Sequence, residues 1–535
     1  MTNESTRCDP LTHRPMEHVA WSAALRVLGD RFGDRCAVSD GRGERLDYAG
    51  LDAAAHALAT DLLDDGASPG APIGVLLPNG LDAVVASYGI RACGAAEVPL
   101  SFGSTPDEVA WCARIAGFDL VIAPPDRHDM LRGLGLSPRS PDPLPTYGAR
   151  RSRAPAPPLP AVDAAAASRI MFTSGTTGRP KGIVYDHARR WIGEQLLLAS
   201  LPFVPSPSAR IILMTPFPHG ASLMTYAWCA RGGEVVLLDG ADPARVDALL
   251  RAGGVEAIFA PPTVLAKLAA SLGDHRAAGV RCVFTGTQPL TPALYRKAVA
   301  MFGPVVRITY GKTECTNPIT VLEPADVDAW FGSADEPVGA CVGWPAPGVE
   351  IRIEPLSDAA GDAPDDGRAP GGEVLLRAIH QSNGVLGPDG FSLHGDGDWH
   401  RTGDLGHVDD RGRLILTGRI ADVIKTGGYR VNPDEIETVL AGLGRCAHVC
   451  VTSIPSAYWG EVIVAVAEQP REGWIEEARS RVEKLSRHKH PRAYVGFDAL
   501  PRNAQGKLSR RVVARLVLER HELRDGPYPE LVAAG

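Results

Sequence analysis

The residues with the clearest chemical character lie in a glycine- and hydroxyl-rich loop that follows the apolar run Met171–Phe172. Its glycines can adopt positive φ and let backbone N–H groups face an anion. Its hydroxyl side chains can donate to the same anion, and a lysine closes the loop with a positive charge. The residues predicted to contact the anion are Thr173, Ser174, Gly175, Thr176, Thr177 and Lys181. The loop contains no Gly-Lys-Ser/Thr, so it differs from the phosphate loop of common nucleoside triphosphatases.

Four further segments place charged and aromatic residues beside apolar runs. They are Tyr310-Gly-Lys-Thr-Glu314, Arg401-Thr-Gly-Asp404, Gly418 to Arg430, and Pro501 to Lys507. The first follows an apolar run that predicts a strand. In open α/β sheets, ligands collect at the carboxyl ends of the strands, so Thr313 and Glu314 are candidates for ligand contact.

In this order, the five segments resemble the motifs of the adenylate-forming superfamily: acyl- and aryl-CoA synthetases, peptide-synthetase adenylation domains and firefly-type luciferases. Leu77-Pro-Asn79 and Gly94 to Pro99 also resemble this superfamily, so the similarity covers residues from about 45 to 515. The resemblance implies an enzyme that binds ATP and magnesium, activates an acid as its adenylate and releases pyrophosphate. It also implies a large N-terminal domain and a small mobile C-terminal domain, with the site between them.

The resemblance also implies how the nucleotide is held. Tyr310 would stack on adenine, Asp404 would accept both ribose hydroxyls, and Arg419 would lie near the ribose and the phosphates. The residues that it assigns to the opposite wall of the adenine site are Gly286, Thr287 and Gln288.

Four residues are predicted to be catalytic: Thr313, Glu314, Lys425 and Lys507. By the resemblance, Thr313 contacts the α-phosphate and Glu314 holds magnesium, which prefers carboxylate and phosphate oxygens. Lys507 is expected to be the main catalyst of adenylation, because a mobile ammonium stabilises negative charge that exists only in the transition state. Lys425 is assigned to the second half-reaction, as in luciferase-like members.

The residues predicted to contact the acid are His219, Gly220, Gly311 and Lys312. His219 matches a family position near the acid, and the small residues after it suit a compact or flat acid. Lys312 fills the variable position of Y-G-x-T-E, which often borders the acid pocket. A lysine that extends to solvent is an equally good interpretation of that residue.

Two departures from the family pattern concern the steps after adenylation. Ala421 stands where the hinge usually carries Asp or Lys, and the segment from Ala378 to Trp399 is short and lacks Gly-Tyr. The leading hypothesis is an aryl- or acyl-acid:CoA ligase. The alternatives are an ATP-dependent diazotase that activates nitrite for attack by an aromatic amine, and a stand-alone enzyme that loads a carrier protein. A nucleotide-binding sensor is disfavoured, because the charged residues of all five segments are intact.

The elements that position these residues follow from the hydrophobic pattern. From about residue 71 to 320, apolar runs such as Ile73–Leu77 alternate with amphipathic stretches, which indicates a doubly wound, mostly parallel α/β sheet. The residues after 418 predict a small α+β unit in which Asn432 caps a helix. The predicted domains are 1–418 and 419–535, and Ser137 to Pro160 is predicted to be an exposed connector.

Composition excludes several classes of partner for this chain of 535 residues. A net charge of -8 with a pI near 6.0 argues against nucleic acid and anionic membranes. No apolar run reaches the ~18 residues that a membrane span needs. The ten cysteines form no C-x-x-C pair, which indicates reduced thiols and a cytoplasmic protein. The expected partners are a small acid, ATP, and either CoA or an amine acceptor.

Overall fold

The computed structural model describes residues 16–145, 159, 161–173, 179–273, 277, 279–333, 339–356, 371–395, 397–502 and 508–534. The chain divides into two compact units. Unit 1 consists of Met1–Phe259, Lys312–Pro318 and Ile379–Asp396, and unit 2 consists of Ala260–Gly311, Ile319–Ala378 and Gly397–Gly535. Both units contain helices and β-sheets, so the predicted α/β class is confirmed. The boundary at 418/419 falls inside unit 2 and stays a prediction.

Unit 1 contains an eight-stranded sheet with a parallel half and an antiparallel half. Its strands, in spatial order, are Gly390–Leu393, Gly384–Gly387, Lys181–Asp186, Ala167–Thr173, Ala96–Pro99, Pro72–Val75, Leu120–Ile122 and Ser137–Arg139. The last five are parallel to one another, and the first four pair antiparallel. Apolar side chains of these strands, among them Val98, Val121 and Ile170, form a buried core.

Five more strands of unit 1 run in the order Val255–Phe259, Arg210–Leu213, Glu234–Leu237, Cys36–Asp40 and Arg45–Asp47. All neighbours are parallel except the final pair. His18–Val19 pairs antiparallel with Val162–Asp163. The α-helices of unit 1 are Trp21–Phe32, Tyr48–Asp64, Leu81–Ala92, Pro106–Ala116, His128–Gly133, His187–Ala199, Ser222–Cys229 and Pro243–Ala252. Short helices of other types cover Pro125–Arg127 and Phe217–Ala221.

Unit 2 begins with eight strands in the order Val349–Pro355, Gly372–Ala378, His400–Val408, Leu414–Arg419, Ala340–Pro345, Thr320–Leu322, Val306–Tyr310 and Cys282–Gly286. Only the last two are parallel to each other. A second sheet contains Tyr429–Val431, Ile424–Thr426, Gly460–Glu468, His448–Ser456 and Ala493–Phe497, and a hairpin joins His521–Arg524 to Glu530–Ala533. The α-helices are Pro262–Leu272, Pro292–Phe302, Pro324–Phe331, Pro433–Leu440, Trp474–Val482 and Arg510–Arg520, with shorter turns at Ile420–Asp422 and Arg487–Lys489.

The predicted connector from Ser137 to Pro160 is wrong at its start. Ser137–Arg139 forms the edge strand of the eight-stranded sheet, parallel to Leu120–Ile122. Pro138 lacks an N–H donor, and an edge strand tolerates this because one side of it needs no partner. Among the described helices, none combines the length and the apolar character needed to cross a membrane.

Candidate active site

The predicted phosphate loop connects two antiparallel strands of unit 1. Ala167–Thr173 leads into the loop and Lys181–Asp186 leads out of it, with Thr173 directly opposite Lys181. This register holds a hydroxyl and an exposed lysine at the two ends of the loop. The predicted phosphate contacts Ser174, Gly175, Thr176 and Thr177 lie outside the described residues and stay predictions.

The exit of this loop is fastened to a neighbouring helix. The indole Nε1 of Trp111 donates to the carbonyl of Pro180 at 2.8 Å, and the guanidinium of Arg179 lies 4.6 Å from the centre of the same ring. Trp111 therefore holds Arg179 and Pro180, the residues that follow the loop. Sequence reasoning missed it, because a tryptophan on an amphipathic helix is usually part of the core.

Thr313 and Glu314 are attached to the strands around the phosphate loop through their main chains. The phenol of Tyr185, on the strand after the loop, donates to the carbonyl of Thr313 at 2.7 Å. Burial raises the pKa of Tyr185 well above its usual value, so the phenol stays protonated and can donate. The N–H of Ser382 donates to the carbonyl of Glu314 at 2.9 Å. Both hydrogen bonds are made to main-chain carbonyls, so neither involves the side chain of Thr313 or Glu314.

The predicted acid-binding residues His219 and Gly220 lie in the short turn Phe217–Ala221. The turn is non-helical at His219, with φ -102° and ψ -137°. The Ser222 hydroxyl donates to the His219 carbonyl at 2.9 Å, and the Phe217 N–H donates to Asn79 Oδ1 at 2.7 Å. A Cβ at Gly220 would lie 2.8 Å from the ring of Phe259, so a larger residue at this position would have to displace that ring.

A buried arginine also supports this turn. Arg169, on the strand before the phosphate loop, donates to the Pro218 carbonyl at 2.9 Å and to the Ser222 hydroxyl at 3.0 Å. Its guanidinium lies 3.7 Å from the buried Glu97 carboxylate. Although burial opposes it, the charges of Arg169 and Arg190 hold the pKa of Glu97 below its usual range. The signal available in the sequence was a charged residue inside an otherwise apolar strand.

The predicted nucleotide residues of unit 2 come together around Asp404. The Tyr310 phenol donates to one oxygen of its carboxylate, and Arg419 Nε lies 3.0 Å from the other. Burial and then the neighbouring carboxylate raise the pKa of Tyr310 well above its usual value, so the phenol stays protonated. Asp404 is 4% exposed, whereas the Arg419 side chain is 58% exposed. The three residues predicted for adenine and ribose therefore form one cluster.

The predicted opposite wall of the adenine site begins at the last residue of the strand Cys282–Gly286. Gly286 is opposite Thr309 in the parallel pair, and a Cβ there would lie 2.4 Å from the Thr309 carbonyl oxygen, which excludes any other residue. Thr287 has a φ of +68°, which is rare for a β-branched residue. Gln288 follows it and is half-buried. At the end of the adjacent strand, half-buried Gly311 follows Tyr310.

The remaining predicted residues have different surroundings. The N–H of Lys312, in unit 1, donates to the Cys315 carbonyl at 3.3 Å. Lys425 is exposed on the strand Ile424–Thr426, and Lys507 lies outside the described residues. Ala421 is the middle residue of the turn Ile420–Asp422, and the carboxylate of the adjacent Asp422 accepts from Arg510 at 2.7 Å.

Comparisons with known proteins identify the family of this chain. A family profile described as "AMP-binding enzyme" matches residues 25–386, and one described as "AMP-binding enzyme C-terminal domain" matches residues 435–507. The chain is 28% identical to a 2-succinylbenzoate–CoA ligase of Geobacillus kaustophilus (strain HTA426), over 90% of this chain and 95% of that protein. It is also 28% identical to the long-chain-fatty-acid–CoA ligase FadD13 of Mycobacterium tuberculosis (strain ATCC 25618 / H37Rv), over 88% and 92%.

Among solved structures, the amide bond synthetase McbA from Marinactinospora thermotolerans matches with a TM-score of 0.78. The match covers 93% of this chain and 99% of that one at 24% sequence identity. A likeness at this identity supports the fold.

Proposed function

Since the chain belongs to the family of AMP-binding enzymes, we propose that it adenylates a small carboxylic acid, with an aromatic acid favoured, and transfers the acyl group to CoA. The broader activity, that of an acid-activating, AMP-forming ligase, follows from the family and from the CoA ligases to which the chain is similar. The acid, the metal and the acceptor are the proposed parts.

The observation that carries the proposal is the buried Asp404 carboxylate between Tyr310 and Arg419. A carboxylate can accept about four hydrogen bonds, so it can serve protein donors and ribose hydroxyls at the same time. The bond from Tyr310 fixes the ring beside the carboxylate, which suits a ring that stacks on adenine. A buried acid with these two neighbours supports a nucleotide-binding role better than a purely structural one.

The proposed reaction has two steps. In the first, a carboxylate oxygen of the acid bonds to the α-phosphorus of ATP, and the bond from that phosphorus to the bridging oxygen breaks to release pyrophosphate. In the second, the CoA sulfur bonds to the acyl carbon, the acyl C–O bond breaks, AMP leaves and the thiol proton passes to solvent. Lys507 would stabilise the charge that develops in the first step, and Lys425 would serve the second.

Magnesium fits the residues available to hold it. Across the described ranges, no group of three or more His, Cys, Asp and Glu side chains could hold a metal ion. Magnesium commonly binds one or two carboxylates together with substrate phosphates and seldom binds in a site made of protein ligands alone. The single carboxylate of Glu314 is therefore suited to magnesium. Its main chain is attached beside the phosphate-loop hairpin, which supports a place near the triphosphate.

Overall similarity does not choose the acid, because ligases named for a succinylated benzoate and for long-chain fatty acids are both 28% identical to this chain. The local residues favour a compact anion or an aromatic acid with a polar substituent over a long aliphatic chain. Gly220 packs against Phe259, which limits the space at this predicted acid-binding position. Lys312 is predicted to border the acid. An aliphatic tail offers no polar group to an ammonium, so a polar acid is the more favourable neighbour for this lysine.

The test is pyrophosphate release across a panel of benzoates, cinnamates, short aliphatic acids, palmitate and nitrite, each with CoA or an aminoaryl acid as acceptor. We expect the fastest turnover with an aromatic acid and CoA, and formation of its thioester. Nitrite with the aminoaryl acid reacting fastest would identify a diazotase. Adenylate formation without transfer to either acceptor would favour a carrier-loading enzyme, and no pyrophosphate release with any acid would favour a sensor.

A further inference from the structure

The chain ends in a hairpin that lies beyond both matched ranges, 25–386 and 435–507. Its strands are His521–Arg524 and Glu530–Ala533, paired antiparallel. Leu523 and Leu531 pack against a buried apolar cluster that includes Val513 and Val517 of the preceding helix. The hairpin is therefore docked on the second sheet of unit 2 and is part of its fold.

A single carboxylate in the hairpin binds the turn between two strands of that sheet. Asp525 accepts from the Ser456 hydroxyl at 2.7 Å, from the Ala457 N–H at 2.6 Å and from the Tyr458 N–H at 3.3 Å. The Ser456 bond is the main reason that the pKa of Asp525 lies below its usual range. Because one ionised group accepts three bonds from the turn Ser456–Gly460, it holds this turn in one conformation.

The same turn is bonded to the segment that follows Lys425. The N–H of Trp459 donates to the Ser456 hydroxyl oxygen at 2.9 Å, and its indole donates to the Gly526 carbonyl at 3.0 Å. Its own carbonyl accepts from the Gly427 N–H at 2.8 Å. Gly427 has a φ of +58°, and a Cβ there would lie 2.9 Å from the Trp459 ring. Trp459 therefore connects the hairpin to Gly427 by hydrogen bonds to both.

Lys425 itself is held by the strand that leaves the turn. Its N–H donates to a carboxylate oxygen of Glu461 at 2.6 Å, while its side chain is exposed. The other oxygen of Glu461 accepts from Ser453 at 2.5 Å. The main chain on both sides of this lysine thus depends on the residues around one turn, and Asp525 binds that turn.

We propose that Asp525 is a positioning residue for the second half-reaction: through Ser456 and Trp459 it fixes the Gly427 turn and so the orientation of Lys425. The inference rests on the role proposed above for Lys425 in acyl transfer. It assigns no role to Asp525 in adenylation, so the two half-reactions should respond differently to its replacement.

The test is Asp525→Asn, compared with Glu522→Gln, which neutralises an exposed carboxylate on the same hairpin. Conversion of a supplied acyl-adenylate and CoA to thioester and AMP should slow about 10-fold, the scale of losing one charge-assisted hydrogen bond. Pyrophosphate release should stay within about 2-fold of wild type, because the turn that Asp525 binds, Ser456 to Tyr458, contains no residue predicted to act in adenylation. Glu522→Gln should leave both half-reactions unchanged.

Hydrogen exchange supplies a readout that does not depend on the acceptor. In Asp525→Asn, the Gly427 amide should exchange about 10-fold faster, because its bond to Trp459 opens more often. Asp525→Ala provides a second variant if the asparagine reforms the bonds. Unchanged exchange in both variants, or an equal loss in both half-reactions, overturns the proposal.

Lys425→Ala separates the two claims. If it transfers the acyl group at the wild-type rate, the proposed role of Lys425 fails and the inference falls with it. If the wild-type enzyme converts the adenylate with an amine and not with CoA, the proposed acceptor is wrong. The same comparison of Asp525→Asn with wild type, made with that amine, then decides the role of Asp525.

Discussion

Replacing Asp404 by asparagine tests the nucleotide site most directly. The Asp404 carboxylate accepts a hydrogen bond from Tyr310 and forms an ion pair with Arg419. It is also predicted to accept hydrogen bonds from the ribose hydroxyls. A hydrogen bond to a charged group contributes about 1.5–3 kcal/mol, so losing the charge should weaken ATP binding by about 10- to 100-fold. The cost in unfolding free energy should be about 1 kcal/mol or less, because Tyr310 can still donate to the amide oxygen and Arg419 is mostly solvated.

The assay is a cycle that varies the protein and the ligand together. Calorimetry gives the Kd of ATP, 2′-deoxy-ATP and 3′-deoxy-ATP for wild type and for Asp404→Asn. The wild type should bind each deoxy ligand about 10-fold more weakly than ATP. In the variant this ratio of Kd values should be about 2-fold or less, because the interaction energy depends on the charge of the carboxylate that accepts the ribose hydroxyl. Asp409→Asn is the matched control, because it makes the same change at a carboxylate that is not predicted to contact the nucleotide. The Asp409 carboxylate accepts hydrogen bonds from the backbone N–H groups of Arg411 and Arg413. Undiminished discrimination in Asp404→Asn would refute the ribose assignment.

Three further substitutions test the predicted catalytic and acid-binding residues. Lys507→Ala should lower pyrophosphate release at least ~100-fold with nearly unchanged ATP affinity, because it removes one transition-state charge. A wild-type rate would contradict its assignment. Glu314→Gln should raise the magnesium concentration needed for half-maximal rate, since an amide binds a hard dication weakly. An unchanged titration would make Glu314 a structural residue. Lys312→Met should lower turnover of the true acid far more than ATP affinity, and palmitate should be a poor substrate of the wild type. Efficient activation of palmitate would rule out the pocket argument.

Local patterns predicted most elements because they depend on neighbours in the chain. The apolar run before the Tyr310 segment predicted a strand, and the strand is Val306–Tyr310. Asn432 was predicted to cap a helix, and its side chain accepts from the Asp434 N–H at 3.1 Å. The strand Ser137–Arg139 was missed because proline and arginine make an edge strand resemble a loop.

Partners distant in sequence could not be predicted in the same way. The bond from Ser382 to the Glu314 carbonyl joins segments 68 positions apart in the numbering of the chain. The bond from Tyr185 to the Thr313 carbonyl spans 128 positions. Neither leaves a periodic signal, because a single main-chain bond depends on the packing of whole sheets. The motifs thus indicated which side chains to examine, and the fold was needed to find what holds them.

The candidate residues share a mode of support that has a consequence for mutagenesis. Thr313 and Glu314 are held by bonds to their carbonyls, His219 by a bond to its carbonyl, and Lys425 by a bond from its N–H. Fixing the main chain orients a side chain without using its functional group, which is the arrangement that preorganised sites require. Substitutions of the Thr313, Glu314 and Lys425 side chains should therefore alter activity with little change in stability, since the supporting bonds persist in the variants. Asp404 differs from the four residues held by main-chain bonds, because other side chains of the protein contact its carboxylate directly. Of the five candidates, Asp404 is therefore the one at which activity and unfolding free energy have to be measured together.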